Sequence, residues 1–196
     1  KLLANALQLF SMRWPKEAKS IREEIIQTYN LTLLMGKDDT AMLKALRTMK
    51  MFEFKRSDIE TELIIQYSKI LRHEDPKLRK TCGDFLLAQQ REFPEVKQRL
   101  LAYVTVETSP EMRVSTLSRI KPDKNDFSLI HSLYALQHDE MEEIRYQSFR
   151  LLTKIKGSSQ LITAYISEMV HVLTNSSKLD RNSINNLMIA AQCKPE

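Results

Sequence analysis

The sequence predicts an all-α protein, with about eleven helices stacked as five antiparallel pairs in one domain spanning residues 1–196. Three observations predict it. Glycine is scarce, at 3 of 196 residues, and Pro15, Pro76, Pro94, Pro110 and Pro122 fall where apolar periodicity stops or restarts. Between those marks the apolar residues recur at helical spacing. A short segment then repeats along the chain at intervals of 32–35 residues. A β-sandwich or barrel needs many turns and is disfavoured by so little glycine, which also leaves no glycine-rich phosphate loop. Apolar residues make up 42% and charged residues 28%, enough for a packed core and too apolar for a disordered tail.

In chain order the expected helices cover residues 1–12, 16–34, 40–53, 58–72, 77–91, 95–105, 111–120, 127–136, 141–155, 158–173 and 181–191. Ile21, Ile25, Ile26 and Tyr29 place apolar side chains on one face of the second. Ser57-Asp58-Ile59-Glu60 has the spacing of a capping box for the fourth. Its stripe is Leu63, Ile64, Tyr67, Ile70 and Leu71. Asp75-Pro76 and Ser109-Pro110-Glu111 read as an N-cap followed by proline in the first helical turn, where its missing N–H costs nothing. Leu101 to Val106 is the nearest approach to a strand and continues a helical stripe. Leu161, Ile162, Tyr165, Ile166, Met169, Val170 and Leu173 form the longest stripe. Gly36 and Gly157 stand just past periodic segments, where a left-handed C-cap is wanted. Trp14, the single tryptophan, is expected to pack between the first two helices.

Four segments align without gaps: Asp39–Lys44, Glu74–Arg79, Thr108–Arg113 and Glu140–Arg145. Each opens in an acidic or capping stretch and closes on an apolar residue (Leu43, Leu78, Met112, Ile144) followed by a base. Three residues beyond the base stand Arg47, Cys82, Thr116 and Ser148; seven beyond stand Met51, Leu86, Ile120 and Leu152. Over residues 39–173 this pattern resembles the HEAT/armadillo class of helical repeats, whose helix pairs turn through D-P-x-x-V-R with a small residue and then leucine on the second helix. Asp75-Pro76-Lys77-Leu78-Arg79 and Ser109-Pro110-Glu111-Met112-Arg113 are the nearest copies, and Arg47 departs from the small-residue position. The resemblance implies an armadillo-like solenoid, an α-α superhelix in which stacked helix pairs bury one another's apolar faces. Gly83, inside a helix, is expected to permit close packing. Lys44, Asp75, Arg79, Arg113 and Arg145 are expected to form a structural ladder, each base pairing with the acidic turn of its own or a neighbouring repeat.

The chemistry-bearing residues point away from catalysis. His73, His131, His138 and His171 have no partner at zinc-ligand spacing. His138-Asp139-Glu140 reads as a turn with carboxylates at a helix N-terminus, where the dipole favours them. Cys82 sits at a small-residue repeat position, which reads as core. No hydrolase, metalloprotease, Walker or kinase motif occurs. The expectation is a non-enzyme without cofactor or metal and without a small-molecule substrate.

The function expected of such a fold is protein–protein interaction, as a scaffold or adaptor segment of a multi-subunit assembly. Tyr146, Arg150 and Lys154, at i, i+4 and i+8, are the candidate partner-binding residues, since Tyr and Arg often anchor interfaces. Nucleic acid is the alternative partner. Net charge is +5, and basic clusters occur in Lys44, Arg47, Lys50, Lys55 and Arg56 and in Lys77, Arg79 and Lys80. Equivalent repeat positions carry no continuous basic stripe, so these clusters read as solvated helix faces. A third reading rests on a loose similarity to the helical domain of vitellogenin-type lipid-transfer proteins, carried by Met42-Leu43-Lys44-Ala45-Leu46 and Glu143-Ile144-Arg145; it implies a lipid ligand and secretion. Two sequons, Asn30-Leu31-Thr32 and Asn175-Ser176-Ser177, fit that reading weakly. Two widely spaced cysteines, Cys82 and Cys193, favour a reducing intracellular compartment, cytoplasmic or nuclear. No apolar run approaches the ~18 residues of a membrane span. A chain starting at Lys1 reads as a piece of a longer protein.

Overall fold

A computed structural model describes residues 15–50, 54–57, 59–175 and 181–192. Among the described residues the regular structure is all helical, with no strand. The helix expected over 1–12, Trp14, Met51 and Cys193 lie outside the described residues. The chain divides into two compact units between Arg99 and Leu100.

In the first unit, α1 spans Pro15–Met35 and ends at Gly36, whose φ of 57° is the left-handed cap expected of it. The Gly36 N–H donates back to the Thr32 carbonyl (3.4 Å). Helix α2 spans Asp39–Met49 and buries Met42, Ala45, Leu46 and Met49. Helix α3 spans Thr61–Tyr67 and tightens into a 3₁₀ turn over Ser68–Arg72. The helix begins later than the Ser57–Glu60 spacing predicts: Glu60 is the cap residue, and its side chain makes no cap bond. Ile59 is drawn inside, at 4% exposure, and the Arg56 guanidinium donates to Thr61 Oγ1 (3.1 Å), so the chain is anchored there by other means. Helix α4 spans Pro76–Gln89 with proline in its first turn and Asp75 as cap. Helix α5, Glu95–Val106, crosses from the first unit into the second, and the strand-like run at 101–106 is part of it.

Helix α2 packs on both α1 and α4, and the 3₁₀ turn at 68–72 packs on α4. The core is aromatic at its centre, with Phe85 edge-on to Tyr67 (5.9 Å) and Phe54 (6.4 Å). Helix α2 and the chain beyond it run parallel to α4 and the turn after it in a fixed register. Asp39 meets His73, Lys50 meets Asp84, the Phe54 N–H meets Gln89, and the Arg56 N–H meets Glu92. These partners are 34, 34, 35 and 36 residues apart in sequence, so the first two segments lie side by side within one residue of their aligned register.

In the second unit, α6 spans Pro110–Leu117, capped by Ser109, whose hydroxyl accepts the Met112 N–H (3.3 Å). The helix expected over 127–136 is broken into a 3₁₀ turn (Phe127–Leu129), α7 (Ile130–Ala135) and another 3₁₀ turn (Leu136–His138). Helix α8 spans Glu142–Leu152, α9 Ser159–Asn175 and α10 Arg181–Gln192. Gly157 adopts φ 78° but lies five residues past α8, in the loop before α9, and does not cap the helix directly. Helix α8 packs on α6, α7 and α10. Phe149, Tyr165 and Met169 form a core cluster between α8 and α9, and the Tyr165 hydroxyl donates to the Gln137 carbonyl (3.1 Å).

Candidate interaction surface and the repeated turn

The four aligned segments share a turn built in the same way. Six residues before each base stands a hydrogen-bond acceptor: Asp38, His73, Glu107 and Asp139. Each takes the backbone N–H two residues further on. Thr40 donates to Asp38 Oδ1 (2.9 Å), Asp75 to His73 Nδ1 (3.1 Å), Ser109 to Glu107 Oε1 (2.9 Å) and Met141 to Asp139 Oδ1 (3.0 Å). An N–H at or next to the start of the following helix, which has no partner within the helix, is thereby satisfied.

The ladder arginines bond to the acidic turn of their own or the next repeat, in two different ways. Arg79 Nη1 donates to the carbonyls of His73 (3.0 Å) and Glu74 (2.8 Å). Arg145 Nη1 does the same to Asp139 (2.8 Å) and Glu140 (2.9 Å). Both arginines thus tie down the backbone of their own acidic turn. Asp75 spends its carboxylate on the Lys77 N–H (2.8 Å), capping α4. Arg113 follows another route: Nε donates to the Val104 carbonyl (2.8 Å) and Nη2 bridges to Asp139 of the next repeat.

The preceding helix explains the difference. Before Arg79 and Arg145 it closes as 3₁₀, and the His73 and Asp139 N–H groups already occupy the Ile70 and Leu136 carbonyls nine residues before the base. Before Arg113, α5 stays α-helical, the Glu107 N–H bonds to Tyr103, and the equivalent Val104 carbonyl is open to the guanidinium. Lys44 lies exposed on α2, with no ion pair to any described residue.

Beyond the bases, Cys82, Thr116 and Ser148 are buried while Arg47 is exposed, and Leu86, Ile120 and Leu152 are buried. The Cys82 thiol donates to the Tyr67 carbonyl (3.2 Å), and burial pushes its pKa well up, away from nucleophilic behaviour. Gly83 is not forced by crowding. A Cβ there would meet only Leu71 Cδ2, at 3.8 Å, an ordinary contact. No cluster of three His, Cys, Asp or Glu that could hold a metal occurs among the described residues. The His138 ring instead stands edge-on to Tyr134 and Tyr165, at 5.6 Å from each.

Tyr146, Arg150 and Lys154 do not form one exposed stripe. Tyr146 is half-buried against the Phe149–Tyr165–Met169 cluster, Arg150 is half-buried on α8, and only Lys154, past the helix end, is exposed.

The basic clusters are sorted by the fold. Arg56 is fixed by Glu95 through Nη2 to both oxygens (2.8 and 3.0 Å), by the Glu92 carbonyl through Nε (3.2 Å), and by the face of Phe93. Partial burial works against the charged form of Glu95, but the Arg56 hydrogen bonds, a backbone N–H and the guanidinium charge hold the carboxyl below its usual range. Lys50 pairs with Asp84 (3.2 Å). Lys97 is 1% exposed; it continues the stripe Phe93, Val96, Leu100, Leu101, and that position is the signal by which its burial was readable. Lys44, Arg47, Lys77 and Lys80 are left exposed.

Comparison with protein-family models, with curated proteins and with solved structures finds no match. Among the described residues no helix is long and apolar enough to cross a membrane.

Proposed function

We propose that the chain is an interaction scaffold: a helical repeat of HEAT/armadillo type that presents helix faces to a protein partner within a larger intracellular assembly, without catalysis of its own. The observation that carries this reading is the fourfold recurrence of the acceptor-capped turn at Asp38, His73, Glu107 and Asp139. A repeated unit exists to generate repeated surface. The groups that a reaction would recruit are spent on building it. Arg79 and Arg145 hold backbone carbonyls, Arg113 and Asp139 hold each other, and Cys82 is buried.

The test is capture from native extract with the whole chain as bait, with and without nuclease, followed by size-exclusion chromatography of the captured complex. A defined protein that survives nuclease and co-elutes at a fixed ratio is the expected result. Capture that vanishes with nuclease assigns the exposed bases to nucleic acid, and the scaffold reading then fails.

A further inference from the structure

The fold brings together two basic clusters that the sequence separates by one repeat. The register of α2 along α4 is pinned near both ends, by Asp39 with His73 and by Lys50 with Asp84. Interpolated between these pins, Lys44 is level with Leu78 and Arg47 with Thr81, so Lys77 and Lys80 stand at the levels of Lys44 and Arg47 to within one residue along two parallel helices. Successive bases on one helix are about one turn apart, roughly 5 Å along the axis, and neighbouring packed helices lie ~8–10 Å apart.

All four side chains are exposed, and none forms an ion pair with a described residue. The acids nearby are placed at the margins. Asp38 and Asp75 cap their helices, Asp39 faces His73, Glu74 is exposed in the turn before α4, and Asp84 closes the far edge on Lys50. Four exposed like charges on two packed helices favour an anionic partner.

The dimensions and surroundings select that partner. On the later helices the positions equivalent to Lys77 are Glu111 and Glu143, those equivalent to Lys80 are Val114 and Tyr146, and those equivalent to Arg47 are Thr116 and Ser148, while Arg113 and Arg145, equivalent to Lys44, are held in their turns. The basic surface is therefore confined to one pair of helices and does not recur as a polyanion track would require. The exposed residues between the bases are not aromatic, so the patch has no platform on which single-stranded bases could stack. A short segment with two to four carboxylates, spaced a helical turn apart, matches the two levels.

We propose that the α2–α4 face, through Lys44, Arg47, Lys77 and Lys80, docks a short acidic segment of the protein partner. This rests on the scaffold reading and adds its site and the chemistry of the partner.

The test uses the full chain and a fluorescein-labelled twelve-residue peptide with glutamates at i, i+3, i+4 and i+7. Binding is followed by anisotropy against salt. The variant K44Q/R47Q/K77Q/K80Q removes four positive charges. The control K124E/K156E changes the net charge by the same amount at exposed lysines of the second unit. The expected result is salt-sensitive binding that weakens at least tenfold in the quadruple variant and less than twofold in the control. Equal weakening in both variants, or no binding by the wild-type chain, overturns the proposal. Tighter binding of a 20-base-pair duplex than of the peptide, lost in the same quadruple variant, also overturns it and assigns the patch to nucleic acid. The extract experiment separates the two claims. A protein partner captured equally by the wild type and the quadruple variant leaves the scaffold standing and removes this site; no nuclease-resistant partner at all removes the scaffold itself.

Discussion

Gly83→Ala stabilises this protein. Gly83 lies inside α4, seven residues past Pro76, at a position without a positive φ. Replacing an interior helical glycine by alanine is worth about 1 kcal/mol in backbone freedom lost by the unfolded chain. The new methyl is buried, and full burial of one such group adds up to ~0.8 kcal/mol. Its only neighbour within 4 Å is Leu71 Cδ2 at 3.8 Å, so there is no clash to subtract. The expected gain is about 1–1.5 kcal/mol. At ~2–4 °C per kcal/mol for a chain of this size, Tm rises by roughly 2–6 °C. The urea midpoint rises at constant m value. Gly36→Ala is the matched control. Nothing lies within 4 Å of its Cβ position, but φ is +57°. It should therefore cost about 1 kcal/mol from backbone strain alone. A Gly83→Ala variant that is unchanged or less stable would refute the reasoning, because it would mean that α4 approaches the 3₁₀ turn at 68–72 more closely than 3.8 Å.

Arg145→Met should cost about 2 kcal/mol in chemical denaturation, because it leaves two turn carbonyls without their charged donor; the more exposed Arg79→Met should cost about 1 kcal/mol. Cys82 should resist a thiol reagent at pH 8 in the native state and react only on unfolding, as mass spectrometry of the labelled peptide would show. Glu95 has a lowered folded-state pKa, so its contribution is present above the ordinary glutamate range near ~4.3 and is lost as pH falls through the folded value. Glu95→Gln should accordingly lower stability at pH 7 by less than about 1 kcal/mol and flatten the acid limb of the stability profile below pH ~4.5.

Helix starts were legible where a single residue type carries the signal. Asp75-Pro76 and Ser109-Pro110 both cap as read, and Gly36 takes the left-handed conformation its position calls for. Segments whose outcome rests on tertiary anchoring were not. The Ser57–Glu60 spacing loses to the burial of Ile59 and the reach of Arg56 to Thr61. The helical stripe over 63–71 is real, with Ile64, Tyr67, Ile70 and Leu71 buried, but it does not distinguish α from the 3₁₀ geometry at 68–72. Tyr146 has the composition of an interface anchor and is occupied by the Tyr165 cluster instead. The shared turn was hidden for a chemical reason. Asp, His, Glu and Asp look unrelated as letters, yet each offers one acceptor at the same place. The α2–α4 patch was half legible: both clusters stand in the sequence, but only the register of the helices shows which bases are consumed and which are left side by side.

The recurring turn underlies the scaffold reading, and amide hydrogen exchange tests it most directly. The amides of Thr40, Asp75, Ser109 and Met141 should all be protected together, by at least about tenfold relative to the free-peptide rate, as hydrogen-bonded groups are. Free-peptide exchange at these four positions, in a chain whose α4 and α8 amides remain protected, would contradict the account.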